Sequence, residues 1–439
     1  MMRKRFQNLK SKFSPQAGQA VRTLTVGIEG FASGLPLMTI SKLLQGWLTA
    51  LGIPIEMIGL LGLIELPYTL KLFWAPLMDK WAIPWPDRRR GWIAILQILI
   101  GINLIAFISL KPNEEPLHLF LVGLAALLVA ILSASQDVVV DAYRTDLLPE
   151  RERGGGAAAD SLGYRLAMLV IGAGGFFIAG IFGWRIAFLL AGILMLTISP
   201  FTLLAPKLTQ IENSLPTLRE AVLGPAYEFV GRTGKRKAIQ LLTLVLLYRW
   251  PDGLLSLMSV PFLIQAGFTP ELIGAIQGGW GIAATMLGTA TGGIFFSKLG
   301  LNKALWIYGI VGAISNLAYW ALAHFGGTVQ RLLIAVTIEN FCSGMMVSAF
   351  LALLMSLCNP KFSASQYALL SGIYALSRSL LSTPGGFVAN QIGWSSFFAL
   401  SMATAVPSFL LMTIVTPWKE AIPRGAFDPK RDSTNYQLG

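Results

Sequence analysis

Histidine, cysteine and charge are all scarce in this sequence, and each shortage excludes a class of function. Two histidines and two cysteines stand among 439 residues. Cys342 and Cys358 fall in one expected helix, about 24 Å apart, so they cannot bridge each other. No metal-ligand spacing exists around them, and no metal centre or other cofactor is expected. There is no Gly-rich phosphate loop either, and the chain does not read as an enzyme. Charged residues make up only 13%, against about 25% in an ordinary soluble domain. What is present instead is apolar surface: 54% of the chain is hydrophobic. Composition therefore indicates an all-α integral membrane protein, with the lipid bilayer as its solvent.

The formal net charge of +12 invites a nucleic-acid reading, which its placement rules out. Most Lys and Arg lie in the termini and in alternate loops that share one side. Lys111, Arg185 and Arg331 lie at the opposite ends, and Lys42, Lys71, Arg165, Arg249 and Arg378 fall inside apolar spans. That asymmetry sets topology and puts both termini in the cytoplasm. Windowed hydropathy predicts twelve transmembrane helices of roughly 20 residues each. They cover residues 23–49, 55–78, 91–110, 117–143, 156–181 and 184–205, then 238–265, 270–297, 303–324, 330–357, 364–390 and 394–416. The expected domains are a cytoplasmic tail at 1–22, a six-helix bundle at 23–205, a cytoplasmic linker at 206–237, a second bundle at 238–417 and a tail at 418–439. In the linker, Leu215, Leu218, Val222 and Leu223 stand at helical spacing. An in-plane interfacial helix is predicted there, broken at Pro225.

The two bundles read as a repeat. Leu51-Gly52-Ile-Pro-Ile-Glu56-Met-Ile58-Gly59 matches Ala266-Gly267-Phe-Thr-Pro-Glu271-Leu-Ile273-Gly274, and Gly183-Trp184 matches Gly393-Trp394. Both halves run in the same orientation with six helices each. Two parallel six-helix repeats with a substrate site between them at mid-membrane resemble the major facilitator superfamily fold.

Charges inside the spans are the functional signal, because they are costly in hydrocarbon. The stretch Ser133-Ala-Ser-Gln136-Asp137-Val-Val-Val-Asp141-Ala-Tyr143-Arg144 carries two carboxylates four residues apart, on one helical face. Asp137 and Asp141 are the expected proton-coupling pair. Pairing of these acids with Arg144 or Arg165 is the alternative, and Asp141 lies close enough to the cytoplasm to belong to a gate. Glu29, Glu65, Asp252 and Glu339 are the other buried acids. Trp47, Tyr68, Tyr248, Trp250, Trp280, Tyr319, Trp320 and Tyr374 include the rings available for stacking on a sugar. After the second span, Asp79 and the cluster Arg88, Arg89 and Arg90 form a loop similar to the superfamily signature. With Arg144 they are the expected cytoplasmic gate.

Several runs taken together resemble one family. They are Gly30-Phe-Ala-Ser-Gly34-Leu-Pro36, Lys71-Leu-Phe-Trp74-Ala-Pro76-Leu-Met-Asp79, and Ser133 to Asp137 with Asp141. Gly163-Tyr164-Arg165, Glu339-Asn340, Cys358-Asn359 and Ala368-Leu369-Leu370-Ser371 extend the resemblance along nearly the whole chain. It is to the AmpG-type muropeptide permeases. The resemblance implies a monomeric proton-coupled symporter in the bacterial inner membrane. Its cargo would be anionic sugar-peptides, the N-acetylglucosaminyl-1,6-anhydro-N-acetylmuramyl peptides of cell-wall recycling. Lys71, Arg165, Arg249 and Arg378 would receive carboxylates. Gln136, Glu339 and Asn340 would read hydroxyls and amides, with Asp252 beside them. Arg249, where the family pattern has Lys, and Glu65, where it has no acid, are departures. They leave another anionic metabolite, such as an acetyl-CoA-like molecule, as the alternative cargo.

Overall fold

The computed structural model describes residues 15–415 apart from 76–77, 79–82, 84–85, 150–151, 209–223 and 360–362. The described chain is helical. Nine stretches among the described residues are long and apolar enough to cross a membrane. The helices of the first half are α1 (15–50), α2 (55–73), α3 (88–109), α4 (116–147), α5 (153–182) and α6 (184–204). Those of the second half are α7 (235–265), α8 (270–299), α9 (301–325), α10 (329–357), α11 (363–392) and α12 (394–415). The three expected spans outside the nine fall on α2, α8 and α11. Each of these is interrupted by 3₁₀ or π turns.

Periodicity explains how each helix faces. On α4, Phe120, Leu124 and Leu128 form an exposed apolar row, while Val122, Ala126, Val129, Ala130 and Ser133 are buried. A 3.6-residue repeat produces these two faces, one for hydrocarbon and one for neighbouring helices. The helix end within the repeat is built the same way in both halves. Gly52 closes α1 at φ 76° and Gly267 closes α7 at φ 87°. In each case the glycine N–H donates three residues back, to Thr49 O or Ile264 O, both at 3.0 Å. The next N–H donates five back, to Leu48 O or Leu263 O, both at 3.1 Å. This double bond satisfies the last carbonyls of a helix and needs a residue that tolerates positive φ.

The halves are joined at one end. Each half has a short-loop end, where Gly52, Gly183, Gly267 and Gly393 lie, and a linker end, where residues 208 and 224 lie. One continuous apolar core contains Leu43, Ile58 and Phe188 of the first half with Phe262, Leu332 and Phe398 of the second. Two further cores each stay within one half at the linker end, around Tyr143 and around Tyr308. Small residues close the seam between halves. A methyl on Gly278 of α8 would lie 2.2 Å from the Gly172 carbonyl oxygen of α5, and one on Gly59 of α2 would lie 3.1 Å from Gly386 Cα of α11. Gly172 and Gly175 of α5 thus pack against Gly278 of α8 and Leu43 of α1. Gly278→Val should force the α5–α8 seam apart, at an overpacking cost of about 1–3 kcal/mol. Thiol labelling of a cysteine introduced at Phe176, which is 2% exposed on α5 against Gly274 of α8, with Cys342 and Cys358 replaced, should rise; unchanged labelling would count against the seam.

The linker differs from its sequence reading. The segment around Leu215 to Leu223 lies outside the described residues. Beyond it a helix is described at Gly224–Thr233 and runs on through Pro225. Glu228 on this helix accepts from Asn359 Nδ2 at 2.6 Å and from Gln366 Nε2, with Arg232 at 3.3 Å. Burial works against its ionisation, but these donors outweigh that and hold the Glu228 carboxyl below the usual range. The helix is thereby clamped to the α10–α11 connection.

Candidate functional site

Between the halves lies a cavity of about 360 Å³, walled by α1, α5, α7, α8, α10 and α11. Its charged lining comprises Lys42, Arg165, Arg249, Asp252, Glu339 and Arg378. Local backbone irregularities aim several of these groups. Lys42, Gly172, Gln277 and Arg378 all stand in π-helical turns, at Thr39–Leu43, Val170–Gly175, Gly274–Trp280 and Ser377–Leu381. Such single-turn insertions recur at functional sites. In α7 the helix breaks at Tyr248 and Arg249 and restarts at Trp250, with Pro251 in its first turn. A proline cannot donate to the preceding turn, so the break follows from the sequence.

That break builds the best-connected group in the cavity. Arg249 Nη2 donates to Asp252 Oδ2, and Nη1 donates to Tyr374 Oη at 2.7 Å. Ser343 Oγ donates to the other Asp252 oxygen at 2.6 Å. The guanidinium also lies 5.2 Å from the Tyr374 ring centroid, within cation–π range. Two other cations reach across the seam. Arg378 Nη2 of α11 lies 3.1 Å from Glu65 Oε1 of α2. Lys42 Nζ of α1 donates to Ser256 O of α7, with Ser256 Oγ at 3.3 Å. Glu339 accepts from Asn340 Nδ2 at 2.8 Å, and Asn340 Oδ1 accepts from Thr285 Oγ1 at 3.0 Å. Arg165 makes no hydrogen bond or ion pair among the described residues and lines the cavity.

Six of the eight residues expected at the substrate site are thus brought together: Arg165, Arg249, Asp252, Glu339, Asn340 and Arg378. The other two lie elsewhere. Gln136 is fully buried between helices. Lys71 is taken up by Asp137, 3.4 Å away. The expected coupling pair is also divided. Asp137 faces Lys71 of α2, whereas Asp141 is half exposed and binds Arg144 at 2.8 Å, and Arg144 also binds Asp160 of α5. Four residues of helix put both acids on one face, but Asp137 meets a base from α2 and Asp141 meets one from α4 itself, three residues on. Asp137 pairs with neither Arg144 nor Arg165, whereas Asp141 pairs with Arg144, as the alternative reading has it.

Among the gate residues, Asp79 lies outside the described residues, and Arg88 opens α3. Arg89 lies 3.5 Å from Asp146 of α4. Arg90 binds Asp87 at 2.6 Å and donates to Leu203 O at 3.0 Å and to Ala205 O. These bonds tie α3 to α4 and α6 within the first half. Of the aromatic residues singled out in sequence, Tyr374 alone lines the cavity. Trp47 packs with Phe107 and Phe188, Tyr248 stacks on Phe350, and Trp320 stacks on His324. Sequence reasoning missed Tyr164, Gln277, Thr285 and Ser343 in the wall. It noted Lys42 only as a buried base. Ser343 was findable, since it stands one turn beyond Glu339 on the same face.

The comparisons with known proteins bear on the family and the fold. The Major Facilitator Superfamily model matches residues 23–382. The anhydromuropeptide permease of Escherichia coli (strain K12) is 39% identical over 398 residues, covering 90% of this chain and 80% of that protein. The crystal structure of a D-xylose–proton symporter matches with a TM-score of 0.68 at 13% identity, over 91% of this chain and 97% of that one. A bacterial homologue of the lysosomal transporter Spinster, in an inward-facing and occupied conformation, matches with a TM-score of 0.67 at 15% identity, over 94% of this chain and 100% of that one. At such identities the two structures speak to the fold alone. The relatives are transporters, and the described chain has the fold of a multi-pass membrane carrier. This protein belongs to the major facilitator superfamily and, within it, to the AmpG-type muropeptide permease family.

Proposed function

We propose that this protein imports 1,6-anhydromuropeptides across the bacterial inner membrane in symport with protons, working as a monomer by alternating access with both termini in the cytoplasm. The observation that carries the reading is the 39% identity to an anhydromuropeptide permease over 90% of the chain. The cavity chemistry supports it. Such cargo is polar and carries peptide carboxylates, and Arg165 and Lys42 face the cavity without an acid partner. Arg249 and Arg378 already hold acids, so they would orient cargo more than neutralise it. Tyr374 and Tyr164 offer ring surface, and Asn340, Ser343 and Gln277 offer polar groups for sugar and amide atoms. The shared core at the short-loop end and the divided cores at the linker end support an inward-facing state.

The proton carries the energy. One positive charge falling through 100 mV releases about 2.3 kcal/mol, and a pH gradient adds to it. Asp137 and Asp141 remain the proposed proton-coupling residues, with Asp137 favoured because its partner Lys71 sits on a different helix. The gate role of Asp79, Arg88, Arg89, Arg90 and Arg144 is part of the same proposal. The second reading, another anionic metabolite as cargo, is favoured by Glu65, which occupies Arg378.

Proteoliposomes decide between these readings. Labelled N-acetylglucosaminyl-anhydromuramyl peptide should accumulate under an inward proton gradient, and an uncoupler should abolish accumulation. Uptake no greater than in empty vesicles would end the muropeptide reading. Uptake indifferent to the uncoupler would end proton coupling.

A further inference from the structure

Glu339 differs from the other acids near the cavity in making no ion pair among the described residues. Asp252 is held by Arg249, Glu65 by Arg378 and Asp137 by Lys71. Glu339 is 7% exposed and lies in the cavity wall. Its carboxyl accepts one hydrogen bond among the described residues, from the neutral amide of Asn340. Several groups face it from other helices. Lys42 comes from α1, Arg249 and Asp252 from α7, and Tyr319 from α9. Cys342 lies beside it on α10. α11 adds Arg378 to the same cavity, and α8 adds the neutral Gln277, which accepts from Tyr319 Oη at 2.8 Å.

The surroundings give that carboxyl a specific consequence. Lys42 and Arg165, the wall's cations without acid partners, are where an anionic cargo settles. An ionised Glu339 in the same wall repels the arriving carboxylate. A protonated one removes the repulsion and offers an O–H to a sugar hydroxyl or amide oxygen. Coupling between two bound ligands is reciprocal, so cargo that binds better to the protonated wall must also promote its protonation.

We propose that Glu339 is the proton-binding group that makes cargo affinity depend on pH. The carboxylate oxygen takes one proton from solvent as anionic cargo enters and returns it when cargo leaves. This rests on the proposed function and deepens it, because it assigns Glu339 a step distinct from that of Asp137, which lies outside the cavity wall.

The test is binding of labelled anhydromuropeptide to the purified full-length protein across a pH series. Wild-type affinity should fall as pH rises, approaching about tenfold per pH unit for one linked proton. Glu339→Gln should bind with no such slope, whereas Glu114→Gln, at an exposed acid outside the cavity, should keep it. A Glu339→Gln variant with the wild-type slope overturns the inference. If that variant does not bind, the proton count decides. Calorimetry of wild type in buffers of different ionisation enthalpy should register proton uptake on cargo binding, and no uptake at any pH in the series overturns it. Wild type that binds no anhydromuropeptide at any pH overturns the proposed function itself. Wild type whose binding is flat with pH overturns only the role of Glu339.

Discussion

Asp137→Asn is expected to abolish concentrative uptake while cargo exchange across the membrane continues. Asp137 sits on α4 with one carboxylate oxygen 3.4 Å from Lys71 Nζ and the other buried, with no hydrogen bond among the described residues. Asparagine keeps the shape and can still accept from Lys71, but it cannot carry a proton. A carrier that cannot load the proton can equilibrate its cargo and cannot pump it. Uptake in proteoliposomes under a proton gradient should therefore stop at equal concentrations, while counterflow of labelled cargo persists. Wild-type accumulation in this variant would remove Asp137 from the coupling step. Asp141→Asn makes a useful contrast. That side chain is 57% exposed and its partner Arg144 retains Asp160. Loss of so exposed a pair changes stability by about 0–1 kcal/mol, and its effect on accumulation should be much the smaller.

The second large effect is expected at Arg249. Alanine there removes the cation from Asp252, opens the bond to Tyr374 and empties space in the wall. Removing one partner of a buried ion pair typically costs about 3–5 kcal/mol, because the survivor stays charged and unpaired. Arg249→Ala should therefore lower thermal stability in detergent and eliminate transport. The double variant Arg249→Met with Asp252→Leu separates the two effects. With both charges gone, much of the lost stability should return. Transport should not, if Arg249 orients cargo. A double variant that regains transport would reduce the pair to scaffolding.

The positions of these charges were legible in the sequence, and their partners were not. Lys42, Arg165, Arg249 and Arg378 stand out because a base inside an apolar run has few tolerable surroundings. The repeat was legible too, since the glycines at 52 and 267 end helices by the same bonds. Glu65 and Arg378, by contrast, are 313 residues apart. Only the packing of α2 on α11 brings them together, and no local pattern encodes it. Gln136 shows a similar limit. Periodicity marks it as inward-facing, but inward on α4 at that level means against other helices and away from the cavity. Asp137 and Asp141 share a face, yet they meet different bases, because α2 brings Lys71 to the first while Arg144 of α4 itself reaches the second.

The π turns carry one more consequence. A π turn is a helical turn with one residue to spare, and moving that spare residue a single step along the chain turns the residue it passes by ~100° and leaves the helix beyond in register. Such turns lie in α1, α5, α8 and α11, where Lys42, Gly172, Gln277 and Arg378 meet the cavity. The turn in α5 packs directly on the one in α8. The backbone thus contains adjustable joints at the depth of the cavity. Each half can change the aim of its cavity-lining groups by a local change of helical register, without tilting as a whole. Cargo with peptide stems of different lengths could then be fitted by the same few side chains.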